Sequence, residues 1–118
     1  MSLGIKIIAF VLISSGEVAM IYAEIRAARL FTISSHSFLY VFLRLFVIMA
    51  VGGGLVVAGY MTGLKAFKNI WIVSVISIAS ILLVEPIMNY FIVGQLPTRG
   101  ALVGLVLGAG GLFSALFF

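Results

Sequence analysis

The chain contains four long apolar stretches, and each has about the length that an α-helix needs to cross a membrane. They cover residues 4–25, 37–61, 69–93 and 99–118. About 20 apolar helical residues span the hydrocarbon core of a bilayer, and a helix satisfies its own backbone hydrogen bonds in lipid. The pattern predicts an all-α integral membrane protein with four transmembrane helices.

Composition and connection length support this fold. Hydrophobic residues make up 64% of the chain and charged residues 8%, whereas soluble domains carry about 25% charged residues. The connections are short, so neighbouring helices are expected to pack antiparallel. Lys6 precedes an apolar run, as in a signal peptide, but Glu17 interrupts that run. We therefore interpret residues 1–118 as one four-helix transmembrane domain whose first helix is retained.

Several kinds of chemistry are disfavoured. The chain has no cysteine and one histidine, His36, which argues against disulfides, a thiol nucleophile or a metal site built from several histidines. We predict no metal, no cofactor and no enzymatic activity. The net charge of +4 is assigned to contact with lipid head groups, not to nucleic acid.

Positive charges divide almost evenly between the two ends of the predicted helices. The side of the amino terminus carries Lys6, Lys65 and Lys68, and the opposite side carries Arg26, Arg29 and Arg99. An excess of Lys and Arg on one side normally sets membrane orientation. Two interpretations follow. The chain inserts in both orientations and forms an antiparallel homodimer, or a partner or a weak bias imposes one orientation.

The first stretch contains carboxylates at an unexpected depth. Ser14, Glu17, Ile21 and Glu24 share one helical face, and a charge at the bilayer centre costs at least ~2.5 kcal/mol. A glutamate is tolerated at this depth when it faces a cavity or a charged or polar partner, or when it is neutralised by taking up a proton. Glu17 is therefore a candidate proton-exchanging group, and the alternative is an ion pair with Arg44. Glu24 is interpreted as an interfacial residue.

The third stretch carries a second polar stripe that includes Ser74, Ser77 and Glu85. Pro86 follows Glu85, and proline inside a helix removes a backbone donor and bends the helix. The bend is interpreted either as functional or as a packing feature alone. The predicted proton and substrate site comprises Glu17, Ser14, Ser74 and Ser77. A possible ion pair or second polar site comprises Arg44, Glu85 and Tyr40, where Arg44 neutralises a glutamate or binds an anionic head group.

Small residues predict where helices meet. Gly100, Gly104 and Gly108 recur at four-residue intervals, a spacing that lets helices approach closely in lipid. We predict that they pack helices within the monomer or across a dimer. The run Gly52–Gly54 is interpreted as a hinge or as a close-packing notch.

Several of these segments together resemble the small multidrug resistance (SMR) proteins of the drug/metabolite transporter superfamily. They are "GEV" at residues 16–18, "GYMTGLKAF", and "FIVGQLPTRGALVGLVLGAGGL" with its glycine-rich last helix. The resemblance implies an antiparallel dimer that alternates access, with the first-helix glutamate, here Glu17, as the shared proton and substrate site. The chain departs from the family pattern where Ser74 and Ser77 replace aromatic residues, and where it adds Arg44 and Glu85.

These observations predict a proton-coupled secondary transporter of small cationic or polar metabolites or drugs. Its expected partners are protons, a small-molecule substrate, the lipid bilayer and a second copy of the chain. The expected location is a bacterial or archaeal inner membrane. The alternative is a non-transporting membrane subunit, or a component of a small flippase for lipid-linked substrates.

Overall fold

The computed structural model describes residues 2–33 and 35–118, and these form four α-helices. They are α1 (Ser2–Ile33), α2 (Phe38–Phe67), α3 (Ile70–Val93) and α4 (Arg99–Phe117). All four are long and apolar enough to cross a membrane. The all-helical fold with four apolar helices of membrane-spanning length is thus confirmed.

The first two helices are longer than the apolar stretches from which they were predicted. α1 has 32 residues and continues to Ile33, and α2 has 30 residues and continues to Phe67. At 1.5 Å per residue each is roughly 45–48 Å long, against a hydrocarbon core of about 30 Å. The apolar stretches are shorter than the helices because hydropathy indicates only the part of a helix that lies in the hydrocarbon core. The helix continues through polar residues such as Arg26, because arginine is a good helix former.

Capping residues mark the ends and the starts of the helices. Ser37, Asn69 and Thr98 are the N-caps of α2, α3 and α4, and each side chain accepts a hydrogen bond from a backbone N–H of the first turn. Lys68 and Gly94 end α2 and α3 in the left-handed conformation. These caps satisfy backbone groups that the helix ends leave unpaired.

α1 lies at the centre of the packing and contacts both α2 and α3. The ammonium of Lys6 lies 5.5 Å from the ring centroid of Phe67, so the start of α1 lies beside the end of α2. At the other end, the Arg29 guanidinium donates to the carbonyl of Val93, the last residue of α3. α1 and α3 therefore run parallel to each other and antiparallel to α2.

Glycines at the α1–α2 contact allow the two backbones to approach closely. A Cβ on Gly16 would lie 2.7 Å from the Gly52 carbonyl oxygen, and a Cβ on Gly59 would lie 2.9 Å from the Ile13 backbone nitrogen. Gly52 is thus at a close-packing contact. A Cβ on Gly54 would meet nothing within 4 Å.

α4 is attached to the bundle on one side only. In the described part of the chain it contacts α3 and no other helix, and it buries none of its residues. Gly108 faces α3, where a Cβ on this glycine would lie 3.3 Å from Leu82 Cδ1, whereas Gly100 and Gly104 face open space. Of the three predicted packing glycines, only Gly108 therefore packs a helix within the monomer.

We expect Gly16→Ala to lower the free energy of unfolding by about 1–3 kcal/mol, the usual cost of overpacking. Its methyl group would lie 2.7 Å from the Gly52 carbonyl oxygen of α2, so the two helices would have to move apart. The measurement is SDS-induced unfolding in mixed micelles, followed by far-ultraviolet circular dichroism. Gly54→Ala is the matched control, and it should be neutral or slightly stabilising because alanine favours helices. Equal effects of the two changes would contradict the close α1–α2 contact.

Candidate functional site

Glu17 lies near the middle of α1 and is buried in the protein, with 9% of its surface exposed. The Ser77 hydroxyl of α3 donates a hydrogen bond of 2.5 Å to Glu17 Oε1. Ile13 and Ile21, one turn to either side on α1, are also buried. The carboxylate thus lies on the face of α1 that contacts α3, in a largely apolar setting.

A second pair of hydroxyls lies on the same helix contact. Ser14 Oγ and Ser80 Oγ are 3.2 Å apart, and Ser80 also donates to the Ile76 carbonyl. Of the four residues predicted for the site, the structure brings Ser14, Glu17 and Ser77 to the α1–α3 contact. It leaves Ser74 half-buried outside these hydrogen bonds. Ser80 was not among the predicted site residues, although its position three residues after Ser77 places it on the same helical face.

All three acidic residues of the chain belong to this region. Residues of α1 pair with residues of α3 numbered 60 to 66 higher, and this register places Glu85 at a level between Glu17 and Glu24. The Glu24 carboxylate interacts electrostatically with Glu85 and with Glu17. Glu24 is exposed. Its place on one helical face with Glu17 was predicted from the spacing, whereas its proximity to Glu85 was not.

Arg44 and Tyr40 lie away from this acidic region. Both are exposed on α2, and the Tyr40 ring contacts His36 in a tilted arrangement with ring centroids 4.4 Å apart. Among the residues that the structure describes, Arg44 forms no ion pair with Glu17 or Glu85. The three residues of the predicted second polar site therefore do not meet in this conformation.

Glu85 instead lines a groove between α3 and α4 with a volume of about 570 Å³. Pro86, the proline within α3, lines it as well. The groove continues along Asn89 to the α3–α4 connection at Gln95 and Thr98. It is a mixed surface of apolar side chains, amides and one carboxylate, and it was not predicted from the sequence.

Comparisons of the chain with protein-family models, with curated proteins and with solved structures gave no match. The resemblance to SMR proteins therefore stays a prediction that depends on the sequence motifs.

We expect Ser77→Ala to lower the free energy of unfolding by about 1–3 kcal/mol, because it removes a hydrogen-bond donor from a buried acceptor. The same mixed-micelle unfolding assay measures the change. Ser15→Ala is the matched control on α1, since the exposed Ser15 hydroxyl bonds only to carbonyls of its own helix. A loss for Ser15→Ala as large as for Ser77→Ala would contradict the role of the α1–α3 hydrogen bond.

Proposed function

We propose that the protein is a proton-coupled secondary transporter of small cationic or polar compounds, and that Glu17 is its shared proton and substrate site. This function fits the SMR resemblance of the sequence. It also fits a location in a bacterial or archaeal inner membrane.

The observation that carries the proposal is the environment of Glu17. Its carboxylate is buried near the middle of a membrane-spanning helix, and its partner is a neutral hydroxyl, that of Ser77. No lysine or arginine among the described residues forms an ion pair with it. Burying an unpaired carboxylate is costly, so binding of a proton or of a substrate cation would relieve the same unbalanced charge.

Competition for one carboxylate is sufficient for exchange. The protonated form of Glu17 cannot hold a cation, and a bound cation opposes protonation, so one is released as the other binds. Ser77 can keep its hydrogen bond to Glu17 Oε1 in either state, because the proton or the cation can bind at the other carboxylate oxygen. Alternating access then requires movement of helices around this midplane site.

A second copy of the chain would complete the transporter. α4 leaves Gly100 and Gly104 uncovered, with open space around both, and glycines at this spacing favour helix association in lipid. The even distribution of Lys and Arg allows the second copy to insert in the opposite orientation. We therefore propose an antiparallel homodimer that forms through α4.

A non-transporting subunit is the second candidate, and the hydrogen bond from Ser77 to Glu17 is the observation that favours it. In this alternative, the polar contact joins α1 to α3, and the exposed face of α4 binds another membrane protein. A flippase component would use the α3–α4 groove for a lipid-linked substrate.

We expect Glu17→Gln to abolish substrate-driven proton movement in proteoliposomes, because glutamine keeps the shape and a hydrogen bond but cannot release a proton. The assay records an internal pH indicator while cations, polyamines, guanidinium compounds and lipid-phosphate analogues are added. Glu24→Gln is the matched control on the same helix and should retain substrate-driven proton movement. Unchanged proton movement in Glu17→Gln would contradict the proposal, and silence of the folded wild-type protein would favour a subunit.

We expect Gly104→Ile to reduce the dimer fraction without loss of monomer stability, because a Cβ at Gly104 meets nothing within 4 Å in the monomer. Gly108→Ile is the informative comparison, since its side chain would press on Leu82 and destabilise the monomer too. Single-molecule subunit counting in lipid measures the dimer fraction, and mixed-micelle unfolding measures stability. A dimer fraction unchanged by Gly104→Ile would contradict assembly through this face.

A further inference from the structure

The groove between α3 and α4 is separate from the Glu17 site. The residues that line it belong to α3, α4 and their connection, and none belongs to α1 or α2. It extends from Ile81, well inside α3, to Thr98 at the start of α4. Its volume of about 570 Å³ is within the range of roughly 300–1,000 Å³ that is usual for small-molecule sites.

Glu85 is the one charged residue among those that line the groove. Its side chain is half-buried and has no hydrogen bond or ion pair with the described residues. Arg29 is held by the carbonyl of Val93, eight residues further along α3, or about 12 Å along the helix axis. The Glu85 charge is therefore not neutralised by a protein cation.

The surroundings of Glu85 select the type of cation. Most of the lining is apolar and includes Ile81, Leu82, Pro86, Leu96 and Leu105. The Glu24 carboxylate adds a second negative charge to the electrostatic field at Glu85. Both charges attract a cation in the groove, and this attraction is stronger in a low-dielectric environment than in water. A ligand with one ammonium group and a long apolar chain matches both features.

We propose that this groove binds an amphipathic primary amine from the membrane. The ammonium group donates hydrogen bonds to the Glu85 carboxylate, and the alkyl chain lies along the apolar wall beside α4. The groove opens at the protein surface, where Leu96 is 77% exposed, so the ligand can enter without passing Glu17. This site is additional to the proposed transport site and does not depend on it.

The test uses the full chain with Glu17→Gln, reconstituted in phosphatidylcholine nanodiscs, so that the Glu17 carboxylate cannot contribute. The probe is dodecylammonium, and dodecanol is its neutral counterpart of the same chain length. Equilibrium binding gives the affinity, and the amide resonances of Thr98, Ala101 and Gly104 report where the probe binds. Binding by the Glu17→Gln chain is measured independently of transport, so the two proposals succeed or fail separately.

We expect saturable binding of dodecylammonium that shifts these resonances and weakens about tenfold or more with added Glu85→Gln, the usual effect of losing a hydrogen bond to a charged group. Added Glu24→Gln should weaken binding less, because Glu24 does not line the groove. Added Ala101→Leu, which narrows the groove and keeps the carboxylate, should weaken binding of both probes and remains informative if Glu85→Gln fails to fold.

Three results would overturn the proposal. They are equal affinity for dodecylammonium and dodecanol, unchanged affinity in folded Glu85→Gln, and no saturable binding in the Glu17→Gln chain. A fourth arm adds phosphatidylethanolamine, whose head group is also a primary amine. Unchanged affinity supports a free amphiphile as the ligand, whereas loss of probe binding would identify the lipid itself as the occupant and overturn this assignment.

Discussion

The close contact between Gly16 of α1 and Gly52 of α2 is the constraint on which the polar site depends. Lipid supplies little hydrophobic driving force between helices, so association depends on close van der Waals packing. Successive residues of a helix point about 100° apart, and Gly16 and Glu17 therefore face different neighbours. Because Gly16 holds one face of α1 against α2, the adjacent Glu17 is turned toward Ser77 of α3.

The parallel arrangement of α1 and α3 explains why the acidic residues meet. Glu17 and Glu24 lie two turns apart on α1, and the register of the two helices brings Glu85 to an intermediate level. Like charges repel one another, and the repulsion is stronger in a low-dielectric environment than in water. A proton or cation that binds at one of them therefore alters the electrostatic environment of the others. The Glu17 contact and the groove at Glu85 are distinct in space but share this field.

The position of α4 leaves two neighbouring surfaces available. Its contact with α3 is limited, so a groove remains between the two helices, and Gly100 and Gly104 remain uncovered. The groove contains the Glu85 carboxylate, for which we propose a cationic ligand. Gly104 lines the groove and Gly100 lies outside its lining, and for this glycine face we propose contact with another helix. One weakly packed helix can therefore contribute both to ligand binding and to assembly.

The sequence by itself determined the four helices and where α2, α3 and α4 begin, because hydropathy is a local property. It also identified Glu17, since a carboxylate in an apolar stretch is conspicuous without any knowledge of its neighbours. Only the tertiary structure decided that Gly52 packs while Gly104 stays uncovered, that Ser80 joins Ser14, and that Glu85 lines a groove away from Arg44. Those roles depend on what lies across each helix contact, and the one-dimensional pattern of small and polar residues does not contain that information.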